Sequence, residues 1–359
     1  MQRFLFVLGR DPQLSLLEVA SLFQTYKIPF SVQHFTQDYA LIESKHFDAQ
    51  HFMQRLGGTL KIAQIIEDFE GIYKGRSNKV SYSVNAFTDD MELVHDVEFQ
   101  LRSSLRDQGL RIFGKKHLER KPSRSARVDV EVIVAGKDVG KVIAISEPRL
   151  YKERDEQRPH FAAARVISLR LAKILINLSQ VKEGETLLDP FCGLGTVLQE
   201  ASLMGIRSIG VDNDALMVQH AQENLRWLGT SYQGLWKVLR GDATHVSRTI
   251  RQADSAVTEP YLGPYVKTVM GFAEAQQLKK ELTVLYTKTL QELRRVIRGK
   301  VVFIFPRFKT KVNKRVSLDI DNILKMGGWK IAQPLDTVSL PIPYYHTRSA
   351  IERFIYVLQ

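Results

Sequence analysis

Apolar and polar positions alternate along the first part of the chain in short blocks that predict strands and helices in turn. Residues 3–8, RFLFVL, predict a buried strand, the stretch that begins near Pro12 predicts a helix, and YALIES at 39–44 predicts a further strand. The alternation continues to about residue 75. We therefore predict a small amino-terminal α/β domain over residues 1–75.

A second block of alternating elements follows in a different order, between residues 76 and 148. KVSYSVNAFT predicts a strand and DVEFQLRSSLRDQGL a helix, and the strands in RVDVEVIVAG and KVIAISE are joined by the hairpin turn GKD. The stretch PRLYKERDEQRP is polar and bracketed by prolines, which indicates a linker over residues 149–165. Residues 166–359 then repeat strands after helices, an order typical of a doubly wound parallel sheet.

One stretch of this larger region has the pattern of a ligand-binding turn. LLDPFCGLGT ends a predicted strand in Asp189 and then places Gly193 and Gly195 before a helix. In a parallel sheet, a ligand lies at the carboxyl ends of the strands, where glycines let it approach the backbone and a helix presents its positive end. Asp189 disfavours a phosphate-rich ligand, and no Lys-Ser or Lys-Thr pair follows as a P-loop requires. A cationic ligand fits this turn better.

Two further strand ends carry acids that suit such a ligand. SIGVDND ends the next strand in Asp212, placed to accept both hydroxyls of a ribose, and RGDA offers Asp242 beside Ala243 for an adenine ring. A ribose together with a positive charge indicates S-adenosylmethionine. A glycine pair can also be an ordinary turn, and Asp212 can be a helix cap with its neighbours, but the set in strand order favours the cofactor. The predicted cofactor-binding residues are Asp189, Phe191, Gly193, Gly195, Thr196, Asp212, Asn213, Asp242 and Ala243.

The composition adds one strong feature, which is the charge. A formal net charge of +12 over 359 residues indicates a polyanionic partner, because clustered Lys and Arg displace counterions from phosphate backbones; the alternative is that the charge serves solubility alone. The single cysteine, Cys192, excludes an intrachain disulfide and a Cys-rich zinc site, and it suits a reducing compartment. No apolar run reaches the length of a membrane span or a signal-peptide core. We therefore expect a cytoplasmic protein with no metal and no membrane partner.

Several quoted stretches resemble one family of RNA-modifying enzymes. DPFCGLGT, followed by GVDNDALMVQHAQENL, resembles the cofactor half of amino-group methyltransferases that act on RNA or DNA. MQRFLFVLGRDPQLSLLEV, RPHFAAARVISLRLAKILINLS and YYHTRSAIERFIYVL resemble the opening, the helix before the cofactor motif and the closing hairpin of the archaeal-type THUMP-domain tRNA guanine-N2 methyltransferases. FGKKHLERKPSRS and the strands after it are similar to a THUMP domain. The resemblance covers close to the whole chain.

This resemblance implies both a fold and an activity. The implied fold is a ferredoxin-like domain at 1–75, a THUMP RNA-binding domain at 76–148 and a class I, Rossmann-like methyltransferase domain at 166–359. The implied reaction is methylation of the exocyclic N2 amine of guanosine, at position ten of tRNA, with S-adenosylmethionine as the methyl donor. tRNA is then the partner and DNA is not expected. The protein is expected to be a monomer unless a small activator protein is required, and the sequence leaves open whether one or two methyl groups are added.

The catalytic motif of these enzymes has an altered form in this chain. The family carries Asp or Asn, two prolines and an aromatic residue, whereas this chain has VTEPYLGPY. In the register that we prefer, Glu259 replaces the acid, Pro260 follows with one proline missing, and Tyr261 stacks on the extruded base. In the other register, Pro260 and Tyr261 keep the last two places and Thr258 stands where the acid belongs. Because a carboxylate or amide must accept a hydrogen bond from the amine, the predicted catalytic residues are Glu259, Pro260 and Tyr261.

Basic residues between positions 111 and 127 predict an RNA-binding surface. Seven Lys or Arg residues accompany a single acid, Glu119, whereas a solvated face would mix its signs. A second cluster, PRFKTKVNKR at 306–315, follows the strand KVVFIF near the expected pocket. The predicted substrate-binding residues are Lys115, Lys116, Arg120, Lys121, Arg124 and Lys309. The alternative functions are an RNA-binding protein with weak or lost turnover and an amino methyltransferase for another nucleic-acid base, although the THUMP-like unit argues against DNA.

Overall fold

The computed structural model describes residues 1–113, 117–119, 128–161, 167–264, 269–344 and 349–359, with 117–119 described by their backbone. The chain divides into two compact units. The first comprises Met1–Leu16, Lys27–Gln54 and Gly58–Glu147, and the second comprises Leu17–Tyr26, Arg55–Gly57 and Pro148–Gln359. Within the described ranges, no helix has the length and apolar composition that a membrane span requires.

The elements before residue 148 are mostly short strands. The strands are β1 (Gln2–Leu8), β2 (Phe30–Phe35), β3 (Tyr39–Ser44), β4 (Thr59–Ile65), β5 (Lys79–Val80), β6 (Tyr82–Phe87), β7 (Arg111–Ile112), β8 (His117–Glu119), β9 (Val130–Ala135) and β10 (Asp138–Ile145). The helices are α1 (Pro12–Thr25), α2 (Ala49–Arg55) and α3 (Met91–Asp107). Strands β5 and β7 form a small parallel pair of their own.

The other strands of the first unit form one sheet in the order β2-β3-β1-β4-β10-β9-β6-β8. β4 and β10 pair antiparallel, so strands from both sides of residue 75 belong to the same sheet. Helix α3 begins where the carboxylate of Asp90 accepts a hydrogen bond from the Leu93 N–H. Its apolar residues share a core with Val84 and Val132 of the sheet. The boundary at residue 75 and the ferredoxin-like and THUMP assignments stay predictions.

The second unit alternates helices and strands. Its helices are α4 (Pro148–Gln157), α5 (Leu169–Leu178), α6 (Thr196–Leu203), α7 (Ala215–Trp227), α8 (Phe272–Val296) and α9 (Ile320–Gly327). Its strands are β11 (Thr186–Asp189), β12 (Arg207–Asp212), β13 (Trp236–Arg240), β14 (Ser255–Thr258), β15 (Val301–Lys309), β16 (Arg315–Ser317), β17 (Ile342–Pro343) and β18 (Ile351–Leu358). Short 3₁₀ turns cover Thr230–Tyr232 and Ala243–Arg248.

The sheet of this unit has the order β13-β12-β11-β14-β15-β18-β17. The strands from β13 to β15 are parallel, and β18 is antiparallel to both β15 and β17. The chain moves outward from β11 to β13 and then returns to place β14 beside β11, so the strand order reverses between β11 and β14. This reversal confirms the predicted doubly wound, Rossmann-like sheet. Ligands of such sheets bind at the carboxyl ends of the strands near the reversal.

The core of the second unit lies between helix α8 and the sheet. Tyr286, in the middle of α8, is fully buried, and its ring meets the rings of Phe303 and Phe305 edge-on, with centroids 5.3 and 5.6 Å away. The Tyr286 hydroxyl donates a hydrogen bond to the backbone carbonyl of Tyr261 at 2.7 Å. Core packing therefore fixes the segment that follows β14, which carries the altered catalytic motif.

Helix α4 occupies most of the region predicted as a linker. The sequence interpretation is wrong over residues 149–157, because the charged residues that indicated a linker stabilise a helix instead. Arg149 pairs with Glu153 and Lys152 with Glu156, each one helical turn apart.

Candidate cofactor and substrate site

A cavity of about 940 Å³ lies at the carboxyl ends of the parallel strands. Residues that follow β11, β13 and β14 line it, together with the last residue of β12 and the beginning of β18. The sequence-predicted residues in its wall are Phe191, Asp212, Asn213, Asp242, Ala243, Glu259, Pro260 and Tyr261. The structure therefore brings the predicted catalytic residues and most of the predicted cofactor residues to one place.

The charge of this wall is opposite to that of the chain. Among the described residues, the lining has four carboxylates and one basic side chain: Asp212, Asp214, Asp242, Glu259 and Arg353. The chain as a whole has a formal charge of +12. An acidic wall disfavours a phosphate-rich ligand and favours a cationic one, because a carboxylate attracts positive charge most strongly where water is excluded.

Asp212 ends β12 and holds the glycine turn in place. Its Oδ2 accepts a hydrogen bond from the Gly193 N–H at 2.9 Å, and its Oδ1 accepts one from the Asp214 N–H at 3.0 Å. The cap of α7 is Asp214, which accepts a hydrogen bond from the Leu216 N–H. The capping role that the sequence left open for Asp212 therefore belongs to Asp214. Each carboxylate oxygen of Asp212 keeps acceptor capacity toward the cavity.

The glycine turn itself does not line the cavity. Gly193 and Gly195 have φ angles of +48° and +78°, which glycine adopts without strain. A Cβ atom at Gly193 would meet no atom of the described residues within 4 Å, whereas one at Gly195 would lie 3.3 Å from Ala221 Cβ. The Thr196 hydroxyl accepts a hydrogen bond from Arg158. These residues shape the turn and the start of α6, and Gly193 leaves open space beside it.

Asp189 is also absent from the cavity wall, because its side chain is buried. It accepts hydrogen bonds from the Thr258 hydroxyl at 2.8 Å and from the Phe191 N–H at 3.1 Å. Burial raises the pKa of Asp189 to about 7; the two hydrogen bonds oppose this shift, and the nearby acids Asp212 and Glu259 add to it. Asp189 thus joins the ends of β11 and β14.

Asp242 begins the 3₁₀ turn after β13. Its carboxylate accepts hydrogen bonds from the N–H and the hydroxyl of Thr244 and lies 3.4 Å from His245 Nδ1. Partial burial raises the pKa of Asp242, but the hydrogen bonds from Thr244 and the proximity of His245 outweigh it and leave the pKa below its ordinary value. Asp242 is therefore a fixed carboxylate at the cavity wall.

Glu259 is the acid that the preferred register places in the catalytic motif. Its Oε1 accepts a hydrogen bond from Arg353 Nε at 2.5 Å, whereas Oε2 accepts none from any residue in the described ranges. Burial raises the pKa of Glu259 above its ordinary value, and the Arg353 guanidinium opposes this shift. Thr258, the acid's substitute in the other register, is fully buried and donates to Asp189. The geometry therefore favours the register with Glu259.

Tyr261 has the exposure that a stacking residue requires. Its side chain is 51% exposed and lines the cavity, while its backbone carbonyl is held by Tyr286. Pro260, between the two, is buried. The segment thus presents one carboxylate oxygen and one aromatic ring to the same space.

The structure describes one of the six predicted RNA-binding residues, Lys309. Lys115, Lys116, Arg120, Lys121 and Arg124 lie outside the described residues. Lys309, at the end of β15, lies 3.9 Å from the buried carboxylate of Glu352, which also pairs with Arg307 and Arg315. Glu352 therefore lies among three basic side chains near the carboxyl end of β15.

Sequence analysis missed two charged residues of the described cavity wall, Asp214 and Arg353, and several apolar ones, among them Met217, Leu262, Leu285 and Ile351. Arg353 lies within the closing hairpin YYHTRSAIERFIYVL, whose resemblance to the family marked the segment but no single residue. Its partner Glu259 lies 94 positions earlier. A pairing over that distance leaves no local pattern in the sequence.

Comparison with known proteins gives the fold and site a family context. Residues 156–318 match the family described as RMKL-like, methyltransferase domain, and residues 84–223 match one described as DNA methylase. The protein named tRNA (guanine(10)-N2)-dimethyltransferase in Methanothermobacter thermautotrophicus is 28% identical over 282 residues, which are 73% of this chain and 78% of that protein. The protein of the same name in Methanocaldococcus jannaschii is 34% identical over 180 residues, 47% of this chain and 44% of that protein.

One similar solved structure is that of TrmN from Thermus thermophilus, with a TM-score of 0.49, 17% identity and coverage of 99% of both chains. The chain spans most of the first relative and less than half of the second. Residues 156–318 are therefore similar to a methyltransferase domain, and the chain is similar, as its motifs imply, to archaeal proteins named tRNA (guanine(10)-N2)-dimethyltransferase.

Proposed function

We propose that this protein transfers a methyl group from S-adenosylmethionine to the exocyclic N2 amine of guanosine in tRNA, at position ten. The names of its archaeal relatives support the substrate and the position. The observation that carries the chemistry is the arrangement of Glu259 and Tyr261 in one acidic cavity, with Glu259 Oε2 open and the Tyr261 ring exposed. We place this reaction in the cytoplasm, where tRNA is processed and Cys192 stays reduced.

The cavity residues fit the methyl donor. Asp212 and Asn213 offer acceptors for the ribose hydroxyls, and Asp242 with Ala243 offers a polar and an apolar contact for adenine. The acidic wall suits the positive sulfonium, and Gly193 leaves the space that a bound ligand needs. When S-adenosylmethionine is bound here, it supplies an activated methyl group.

Glu259 and Tyr261 act on the base. A base that enters the cavity must leave its stack, and the exposed ring of Tyr261 offers a surface on which it can stack again. The open Oε2 of Glu259 accepts a hydrogen bond from the N2 amine. This bond turns the nitrogen lone pair away from Glu259 and holds the amine in a reactive orientation.

The test of the proposed function is product mapping. Unmodified tRNA transcripts are incubated with labelled S-adenosylmethionine, and the modified nucleoside is identified and located by mass spectrometry. We expect N2-methylated guanosine at position ten and none in a transcript with inosine there, since inosine lacks the N2 amine. The same spectrum distinguishes one methyl group from two. A labelled base other than guanosine, or tRNA binding without any label, would replace this proposal with one of the two alternative functions.

The role of Glu259 is tested by three substitutions. Glu259→Ala should lower kcat by about 10²- to 10⁴-fold, the range for losing a positioned catalytic group, with cofactor affinity nearly unchanged by calorimetry. Glu259→Gln keeps an acceptor oxygen and should retain partial activity. Glu259→Asp should also lose activity, because the shorter side chain cannot keep both the bond to Arg353 and its reach into the cavity. The control is Glu281→Gln, which neutralises a carboxylate outside the cavity. Unchanged turnover in Glu259→Ala would make this residue structural.

A further inference from the structure

Arg353 is the single base among the described residues of the cavity wall, and it lies on a well-supported strand. Strand β18 pairs with β15 on one side and β17 on the other. The Arg353 carbonyl accepts a hydrogen bond from the Tyr344 N–H at 2.8 Å. The strand that carries Arg353 therefore has a paired strand on each side. This pairing fixes the position from which the Arg353 side chain extends.

The side chain of Arg353 reaches across a neighbouring strand. β15 lies between β14 and β18 in the sheet order, and Glu259 directly follows β14. Arg353 nevertheless bonds Glu259 through Nε at 2.5 Å. Its side chain is 33% exposed and that of Glu259 is 14% exposed, so the pair is partly shielded from water. A shielded, charged hydrogen bond is stronger than one at an open surface.

The bond is made to one oxygen only. Glu259 Oε1 is occupied, and Oε2 has no hydrogen-bond donor in the described part of the chain. A carboxylate fixed at one oxygen cannot rotate freely, so its second oxygen keeps a defined direction. The side chain of Glu259 is one methylene longer than the Asp of the family that the motif resembles, so it has one more rotatable bond. The hydrogen bond from Arg353 restrains this additional rotation.

We propose that Arg353 is a positioning residue for methyl transfer, which fixes one oxygen of Glu259 so that the other accepts the hydrogen bond of the target amine. The proposal rests on the proposed function of Glu259. Arg353 also favours the ionised form of Glu259, whose charged or titratable neighbours in the described part of the chain include Arg353 of β18, Asp189 at the end of β11 and Tyr286 of α8. Of these, Arg353 is the one cation.

The test compares Arg353→Gln and Arg353→Lys with the unmodified enzyme under single-turnover conditions. Arg353→Gln should lower the methyl-transfer rate by about 10- to 150-fold, the effect of losing one hydrogen bond to a charged group. The KM values for tRNA and cofactor should change little, because the restraint acts on the reacting carboxylate and not on binding. Arg353→Lys should restore part of the rate. Arg226→Gln, an exposed arginine on α7 outside the cavity, is the matched control.

Two further measurements separate positioning from a structural role. The acidic limb of the pH–rate profile should move to higher pH in Arg353→Gln, since removing the guanidinium raises the pKa of Glu259 further. In a Glu259→Ala background, Arg353→Gln should cost little more, because the contact between the two side chains is already absent. An unchanged acidic limb, or fully additive losses, would overturn the proposal.

An activity-independent measurement keeps this inference distinct from the proposed function. The Glu259 carboxyl carbon, assigned by its loss in Glu259→Gln, can be titrated by NMR with and without Arg353. A titration midpoint that rises in Arg353→Gln supports the restraint even if the natural base is not guanosine. A midpoint that does not move overturns it, whatever the substrate.

Discussion

At the scale of single residues, the most unusual group near the cavity is the buried carboxyl of Asp189. Its two hydrogen bonds come from neutral donors, Thr258 and the Phe191 N–H, and no base pairs with it among the described residues. Its pKa of about 7 means that it carries a proton in the folded protein over a range in which an exposed Asp is ionised. Asp189 can thus hold β11 to β14 as a neutral group.

This protonation makes stability depend on pH. The folded-state pKa lies above the unfolded value of 3.8, so the folded protein binds the proton more tightly. The associated stability is present below pH 4 and is lost as the pH rises through about 7. The loss is at most about 4 kcal/mol for a shift of this size.

Asp189→Asn should therefore flatten this part of the pH dependence. Asn keeps an acceptor oxygen for Thr258 and Phe191 and cannot ionise, so the variant should unfold at a higher denaturant concentration than the natural protein at pH 8. At pH 4 the two should be close, because little of this loss has occurred there. The control is Asp214→Asn, which alters an exposed helix cap. Equal pH slopes in the Asp189→Asn variant and the natural protein would show that Asp189 is ionised in the fold.

At the scale of elements, helix α4 is joined to α6 by an ion pair whose acidic partner is buried. Arg154 donates to both oxygens of Glu200 in α6, at 3.0 and 3.2 Å, and Glu200 is 1% exposed. α6 begins directly after the glycine turn. The pair thus joins α4 to α6, the helix that follows the glycine turn.

Removing this pair should cost much more than removing a surface pair of the same helix. Arg154→Ala removes the cation that is hydrogen-bonded to the buried Glu200 and leaves the charge of Lys173 nearby, and it should destabilise the protein by about 3 kcal/mol. Arg149→Ala removes an exposed pair with Glu153 and should cost less than about 0.5 kcal/mol. Denaturant unfolding measures both. Equal effects of the two substitutions would mean that water reaches Glu200 in solution.

Elements whose signal is local could be predicted from the sequence. The first strand, the helix from Pro12, YALIES and the GKD hairpin are all confirmed, the last because β9 and β10 pair antiparallel around Gly136, whose φ is +60°. Local turn chemistry and apolar spacing determine such elements. The acids that end or follow β12 and β13 were found for the same reason, since strand ends are visible in the pattern.

Features that depend on distant residues could not be predicted. The segment that forms α4 is polar along its length, and its sequence therefore indicated a linker. Arg154 of this helix pairs with Glu200, which lies 46 positions away in the sequence. The sharing of one sheet by β4 and β10, and the bond between Arg353 and Glu259, likewise join segments far apart in sequence. The sequence left two registers of the predicted catalytic motif open, and the structure places Glu259 in the cavity wall and buries Thr258.

At the scale of the whole molecule, the charge of the cavity wall differs in sign from the charge of the chain. The cavity wall is acidic among its described residues, while the chain as a whole has a formal charge of +12. The basic residues that could hold an RNA backbone must therefore lie elsewhere. The sequence between 111 and 127 carries seven Lys or Arg residues and a single acid, and its role in tRNA binding stays a prediction.

Neutralising Lys115, Lys116 and Lys121 together to Gln should weaken tRNA binding and flatten its salt dependence. If all three touch phosphate, the slope of the logarithm of the affinity against the logarithm of the salt concentration should fall by roughly two to three. The control is the triple substitution of Lys280, Lys288 and Lys325, exposed lysines of α8 and α9 that carry the same total charge. If net charge alone attracts the RNA, both triple variants will lose the same slope. A loss confined to the first variant locates the binding surface in residues 111–127, and an unchanged slope there would move that surface to another part of the chain.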